Sequence, residues 1–163
     1  MESNELTIVI VTYKSEEKIF SCLQSIPGNL PIFVIENSNN QEFKKKVESR
    51  YSNVKCILTG SNKGYAVANN IGLKNVKTKF ALVLNPDTRL EENALKNFFS
   101  TANNHKNFWL IGPANDQAED ISSHSNQVIE VNNIKGFAIF FNIEKFKQKY
   151  FDENYFLYFE EID

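Results

Sequence analysis

Through about residue 105, short apolar runs alternate with amphipathic stretches. Leu6–Thr12 (LTIVIVT) is a nearly continuous β-branched run, the pattern of a strand covered on both faces. Ser15 follows as a candidate N-cap, with Glu16 and Glu17 in the first helical turn, where the helix dipole favours acids. Ile19, Leu23 and Ile26 recur at helical spacing, and Pro27-Gly28 closes the element. Pro31–Glu36 predicts a second strand, Gln41–Tyr51 a polar, lysine-rich helix, and Val54–Thr59 a third strand. Gly64–Asn75 predicts a helix despite its asparagines, Lys79–Leu84 a fourth strand and Glu92–Asn103 a fourth helix.

Successive βα units predict an α/β fold: a mixed, mostly parallel sheet flanked by helices. Right-handed crossovers bring the strand C-termini to one edge, where open α/β sheets bind ligands. The segments to inspect there are Thr12-Tyr13-Lys14, Glu36-Asn37-Ser38, Gly60–Gly64 and Asn85-Pro86-Asp87. After about residue 105 the alternation breaks. Phe108–Gly112, Gln127–Val131 and Ile134–Asn142 read as strands, Ala114–Asn126 as a loop or short hairpin, and Glu144–Tyr150 as a short helix. Trp109 falls in a strand pattern and is expected in the core.

Composition narrows the function. The 163 residues suit one domain. With 18 basic and 20 acidic residues the net charge is −2, so there is no bulk positive field for nucleic acid. Two of the basic residues are arginines, Arg50 and Arg89, which weakens a phosphate clamp. Cys22 and Cys56 have no second Cys or His at zinc-ligand spacing and read as buried thiols of a reducing compartment. The acidic N-terminus lacks a basic leader region, and no apolar run approaches the ~20 residues needed to span a membrane.

Four segments carry candidate chemistry. In Leu84–Thr88 (LNPDT), Asp87 follows a buried strand, where a carboxylate can hold a hard divalent cation that shares phosphate oxygens; a plain Pro-Asp turn has the same sequence. In Gly60–Gly72 (GSNKGYAVANNIG), three glycines and three asparagines frame a strand-to-helix junction. Glycine admits close backbone approach and a helix N-terminus favours anions, yet neither the P-loop nor the GxGxxG spacing is present. Packing and capping would also explain Gly64 and Gly72, whereas the adjacent Asn69 and Asn70 suit neither helix propensity nor burial. Glu160-Glu161-Ile162-Asp163 follows the aromatic run Tyr155–Phe159; a carboxylate beside apolar rings can serve as a general base, and a solvated acidic end is the alternative. Glu36-Asn37-Ser38 offers an acid that could accept from a base or ribose, or simply a turn.

Together these segments resemble family 2 glycosyltransferases of the GT-A (Rossmann-like) fold, especially the rhamnosyltransferase-like branch of bacterial polysaccharide synthesis. The matching stretches run in family order: Ile8–Tyr13, Val34–Ser38, Gly60–Gly72, Leu84–Thr88, Lys135–Ala138 and Phe151–Asp163. The resemblance implies inverting transfer of a sugar from a UDP- or dTDP-sugar to a glycan or lipid-linked acceptor. It implies a nucleotide-binding half at about 1–105 and a sugar- and acceptor-side half at about 106–163. Thr12, Tyr13 and Glu36 fall where the family binds base and ribose, and Asn62, Gly64 and Asn69 on the motif lining the nucleotide site. Asn85 and Asp87 fall on the DxD-type motif, with Asp87 as ligand of a divalent cation, Mg or Mn. Gly136 falls beside donor sugar and acceptor, and Glu161 falls at the base position, with Glu160 its neighbour.

Four departures accompany the resemblance. Glu36 and Glu161 replace the usual Asp, Asn85 replaces the first acid of DxD, and the sequence ends at Asp163 where family members continue, so a C-terminally short form is expected. The family also implies a cytoplasmic protein with peripheral contact at the inner membrane face. Self-association into a homo-oligomer through the aromatic run is a further expectation. The competing reading is a non-catalytic nucleotide-sugar-binding or assembly module; a sugar nucleotidyltransferase lacks its Arg-containing glycine-rich loop.

Overall fold

The computed structural model describes residues 5–114, 128–147 and 149–156. The strands are β1 (Leu6–Thr12), β2 (Ile32–Glu36), β3 (Val54–Leu58), β4 (Phe80–Leu84), β5 (Leu110–Ile111) and β6 (Ala138–Asn142). The helices are α1 (Glu16–Ser25), α2 (Gln41–Arg50), α3 (Tyr65–Asn75) and α4 (Ala94–Asn104). They build a six-stranded sheet in the order β3-β2-β1-β4-β6-β5. The pairs β1–β2, β2–β3 and β1–β4 are parallel, whereas β6 runs antiparallel to β4 and β5. The mixed, mostly parallel sheet flanked by helices agrees with the sequence reading.

The two faces of the sheet have different covers. Even positions of β1 and β4 (Ile8, Ile10, Leu82, Leu84) join Ile19, Leu23, Phe43, Val47, Leu95 and Phe98, so α1, α2 and α4 cover one face. Odd positions (Val9, Val11, Ala81, Val83) join Ala66, Leu73 and Phe151, with Phe146 and Tyr150 at the margin. The other face is therefore covered by α3 and by the chain after β6. Period-two alternation on fully buried strands produces this division.

The strand order also fixes where a ligand can bind. From β1 the chain moves outward to β2 and β3, then returns through α3 to β4 on the opposite side of β1. That reversal is a topological switch point, and it opens a crevice between the C-terminal ends of β1 and β4.

Several local expectations change. Ser15 stands at the N-cap of α1 without a side-chain cap bond; its hydroxyl donates to the Tyr13 carbonyl instead, at 3.0 Å. The strand expected over Phe108–Gly112 shrinks to Leu110–Ile111 at the sheet edge. Trp109 is consequently 58% exposed and rests edge-on against Phe146, not in the core. Of the strand expected over Gln127–Val131, Gln127 lies outside the described residues; among the described residues Val128–Val131 pairs with no strand, and its three valine and isoleucine side chains are exposed. The last strand begins only at Ala138, because Gly136 and Phe137 are used in contacts across the site. Of the expected helix Glu144–Tyr150, Gln148 lies outside the described residues; the described ones form a 3-10 turn at Ile143–Lys145, after which Phe146 and Tyr150 turn back onto Phe141. Cys22 and Cys56 are buried free thiols, as expected.

Candidate functional site

At the crevice, β1 ends in Thr12, buried at register with Glu36 of β2. The Thr12 Oγ1 has no hydrogen-bond partner among the described residues. An unmatched buried hydroxyl costs free energy and leaves a polar group open to a ligand. Beyond it, Tyr13 is 40% exposed and stacks under the Lys14 ammonium, 5.3 Å from the ring centroid. Lys14 adopts φ 52°, the left-handed conformation that turns the chain away from the strand. An accessible ring at a strand end can stack a planar base.

Glu36 is 2% exposed. Its Oε1 accepts from Ser38 Oγ at 2.6 Å, and its Oε2 accepts from the Asn40 backbone N–H at 3.0 Å. The carboxylate thus holds the β2–α2 turn. Asn40 in turn caps α2, its Oδ1 accepting from the Phe43 N–H.

Asn37, the next residue, is 3% exposed and forms the centre of the site's polar network. Its Nδ2 donates to Asn62 Oδ1 at 3.0 Å and to the Gly64 carbonyl at 3.2 Å. Its Oδ1 accepts from the Lys63 N–H at 2.9 Å and from Thr59 Oγ1 at 3.1 Å. Asn62 Oδ1 also accepts from the Gly64 N–H at 3.0 Å. One buried amide therefore shapes the whole Gly60–Gly64 loop. In the sequence Asn37 stands at a strand edge with no feature that singles it out beyond an amide directly after an apolar strand.

Gly64 takes φ +83° as the N-cap of α3, a conformation open to glycine at no steric cost. A Cβ there would meet the Phe156 carbonyl oxygen at 2.5 Å. That carbonyl accepts from the Tyr65 N–H at 2.9 Å, so the start of α3 is capped by the C-terminal segment. The two asparagines that stood out in the sequence separate here. Asn69 is fully buried; its Nδ2 donates back to the Tyr65 carbonyl at 3.1 Å, and its Oδ1 has no partner among the described residues. Asn70 crosses to the segment after β6, as described below.

On the far side of the crevice, the Asn85 N–H donates to the Phe137 carbonyl at 3.0 Å, and the Asn85 carbonyl accepts from the Thr88 N–H at 3.0 Å to close a turn. Asp87 projects from that turn, its side chain 57% exposed and its Oδ2 3.7 Å from Lys18 Nζ of α1. Its charge, after burial itself, helps push the Cys22 thiol up to about 12. Thr88 Oγ1 donates to the same Phe137 carbonyl, and the Gly136 carbonyl accepts from Tyr65 Oη at 2.8 Å. Gly136 thus lies between α3 and the Asp87 turn. The structure brings Thr12, Tyr13, Glu36, Asn62, Gly64, Asn85, Asp87 and Gly136 to one edge of the sheet. Glu160 and Glu161 lie outside the described residues.

Among the described residues no three His, Cys, Asp or Glu side chains cluster as a metal cage. One exposed carboxylate nevertheless fits a cation such as Mg, which is commonly held by one or two carboxylates plus substrate phosphates.

The chain matches the family described as "Glycosyl transferase family 2" over residues 7–163. It is 26% identical to the low-salt glycan biosynthesis hexosyltransferase Agl10 of Haloferax volcanii, over 98% of this chain and 60% of that protein. It is 28% identical to a teichoic acid poly(glycerol phosphate) polymerase of Staphylococcus epidermidis, over 62% of this chain and 15% of that protein. The chain thus spans less than two thirds of the length of each of these curated relatives. Residues 1–349 of S. aureus TarS, solved with UDP, superpose with a TM-score of 0.72 at 17% identity, over 97% of this chain and 53% of that one. The mannosyltransferase PcManGT of Pyrobaculum calidifontis, solved with GDP-Man and Mn2+, superposes with a TM-score of 0.64 at 12% identity, over 85% and 44%. The fold is therefore GT-A, and a match across nearly the whole sequence means that the chain belongs to glycosyl transferase family 2.

Proposed function

We propose that this chain transfers a sugar from a UDP- or dTDP-sugar to a hydroxyl of a glycan or lipid-linked acceptor in polysaccharide synthesis, with inversion. The observation that carries the reading is the convergence, at the crevice between β1 and β4, of polar strand ends from five separate stretches of a family 2 sequence. The hexosyltransferase relative and the UDP-bound TarS support a hexose and a uridine nucleotide.

Each residue then has a role. Tyr13 stacks the base, while Thr12 Oγ1 and Glu36 face the nucleoside. Asn62, Gly64 and Asn69 form the wall beside it, shaped by Asn37. Asp87, with Asn85 beside it, would hold Mg or Mn, which would offset the charge of the departing diphosphate. Lys18 releases Asp87 as the ligand arrives. Gly136 provides a wall of bare backbone beside the donor sugar. The acceptor oxygen attacks the anomeric carbon on the face opposite the diphosphate, forming the glycosidic bond as the bond to the diphosphate breaks. Glu161, with Glu160 beside it, takes the acceptor proton. The single domain divides at about residue 105 into a nucleotide half and a sugar and acceptor half. In this reading the chain belongs to the rhamnosyltransferase-like branch and works in the cytoplasm against the inner membrane face, as a monomer or homo-oligomer. No described helix is long and apolar enough to cross a membrane.

The test is release of nucleoside diphosphate from a panel of UDP- and dTDP-sugars with Mn2+ and candidate glycan acceptors. Turnover by the wild type and its loss in Glu161→Gln, with nucleotide binding kept, is the expected result. Turnover undiminished in Glu161→Gln removes Glu161 as the base.

A further inference from the structure

The sheet face that α3 covers is completed by the chain after β6, and α3 grips that chain at three successive levels. At the first, the Tyr65 N–H donates to the Phe156 carbonyl, and the Tyr65 ring packs edge-on against Phe151, 5.8 Å between centroids. At the second, Asn70 makes a two-way clasp with one residue: its Oδ1 accepts from the Phe151 N–H at 3.0 Å, and its Nδ2 donates to the Phe151 carbonyl at 2.9 Å. The same Nδ2 donates to Glu153 Oε1 at 2.9 Å. At the third, Lys74 Nζ lies 3.5 Å from Glu153 Oε1.

The second level differs from the other two in kind. Asn70 is 2% exposed and Phe151 is likewise buried, so these bonds form away from competing water. A side-chain amide that satisfies both backbone groups of one residue fixes that residue's position and its rotation. Neither a ring contact nor an exposed ion pair does this. Helix propensity disfavours asparagine at an interior helical position, so Asn70 stands here against local preference. From Phe156 the chain has four residues to Glu160. That allows a reach of at most about 14 Å, and each further residue adds about 3.5 Å. The placement of Phe151–Phe156 therefore limits where the two acids can go.

We propose that Asn70 is a positioning residue for the transfer reaction: its clasp on Phe151 fixes the stretch Phe151–Phe156 that leads into Glu160 and Glu161. The proposal rests on the functional reading above. It assigns Asn70 no contact with substrate and predicts that its loss lowers kcat while leaving nucleotide affinity unchanged.

The experiment compares the intact wild-type chain with Asn70→Ala, Asn70→Asp and the double variant Asn70→Asp with Glu153→Gln. In the double variant the carboxylate at position 70 still accepts from the Phe151 N–H. The new amide at position 153 donates to that carboxylate where the Asn70 amide once donated, so part of the clasp returns with its direction reversed. Hydrogen exchange of the 149–163 peptide reads the clasp, UDP affinity reads the nucleotide site, and nucleoside diphosphate release from a UDP-sugar panel reads transfer. The expected result in both single variants is faster exchange confined to that peptide, UDP affinity within twofold of wild type and kcat reduced at least tenfold. The double variant recovers part of both losses. Wild-type exchange in Asn70→Asp overturns the clasp, and loosened exchange with wild-type kcat overturns the positioning role. UDP affinity falling in step with kcat also overturns it, because Asn70 would then belong to the nucleotide site. A wild-type chain that turns over no donor refutes the functional reading and the positioning role with it, while exchange still decides the clasp.

Discussion

Tyr65 Oη donates to the Gly136 carbonyl at 2.8 Å, tying the first turn of α3 to the segment before β6. The two residues are 71 positions apart and come from the two halves of the chain. Tyr65→Phe keeps the ring against Phe151 and removes this bond. It is expected to cost about 1 kcal/mol in urea denaturation, the usual net value of one hydrogen bond. Because Gly136 stands beside the proposed sugar position, the variant should lose more in turnover than in UDP affinity. Unchanged stability and unchanged turnover together would show that the bond joins nothing of consequence.

Thr12 and Asn37 should respond in opposite ways. Thr12→Val removes a buried hydroxyl that has no partner among the described residues, so stability should hold or rise by up to about 1 kcal/mol while nucleotide affinity falls. Asn37→Ala strips the Gly60–Gly64 loop of its central amide and leaves buried groups unmatched, which should cost about 2–3 kcal/mol. Denaturant melts with and without UDP separate the two. A destabilised Thr12→Val would mean that its hydroxyl is satisfied in solution.

The sheet skeleton was legible because β1 and β4 are buried along their whole length, β2 nearly so, and turns punctuate the strands, which a single sequence records well. What lay outside that signal is of three kinds. Trp109 at the sheet edge and Val128–Val131 carry apolar side chains that no described strand covers, and periodicity cannot show who pairs with whom. The Glu144–Tyr150 expectation rested on local spacing, whereas Phe146 and Tyr150 answer to Phe141 across the sheet. Asn37 and Asn70 act through partners 25 and 81 positions away, a relation that no local pattern contains. Asp87, by contrast, was visible as an acid in a turn after a buried strand, and it projects from the turn after β4 at the crevice.

Glu48 should set part of the acid limb of stability. Burial works to raise its carboxyl, but hydrogen bonds from Lys44 and from the Cys56 N–H, together with the charges of Lys44 and Lys55, outweigh burial and lower it below the ordinary value of 4.5. A carboxyl lowered in the folded state binds fewer protons there than when unfolded. Its contribution is therefore complete above the unfolded value and is lost as pH falls through the folded one. Glu48→Gln should flatten stability between about pH 5 and pH 3, the range over which an unfolded Glu titrates. An identical acid limb in the variant would assign that dependence to other groups.

Cys22 and Cys56 should be inert in the native state. Burial first, with the Asp87 charge added at Cys22, pushes both thiols up to about 12, leaving little thiolate at about pH 8. Alkylation by iodoacetamide should proceed only in denaturant, as read by intact mass. Rapid native labelling would mean that the strand edge at Cys56 or the α1 face at Cys22 opens.

The most direct test of the account is UDP binding to the wild type and to Asp87→Asn, each with Mn2+ or chelator, followed by thermal shift. UDP at about 100 times its dissociation constant adds roughly 2.7 kcal/mol, several degrees for a domain of this size. The account predicts a Mn2+-dependent rise in the wild type, and a chelator-sized rise in Asp87→Asn whether or not Mn2+ is present. No rise with UDP or dTDP on folded protein, or an undiminished Mn2+ effect in Asp87→Asn, would contradict it.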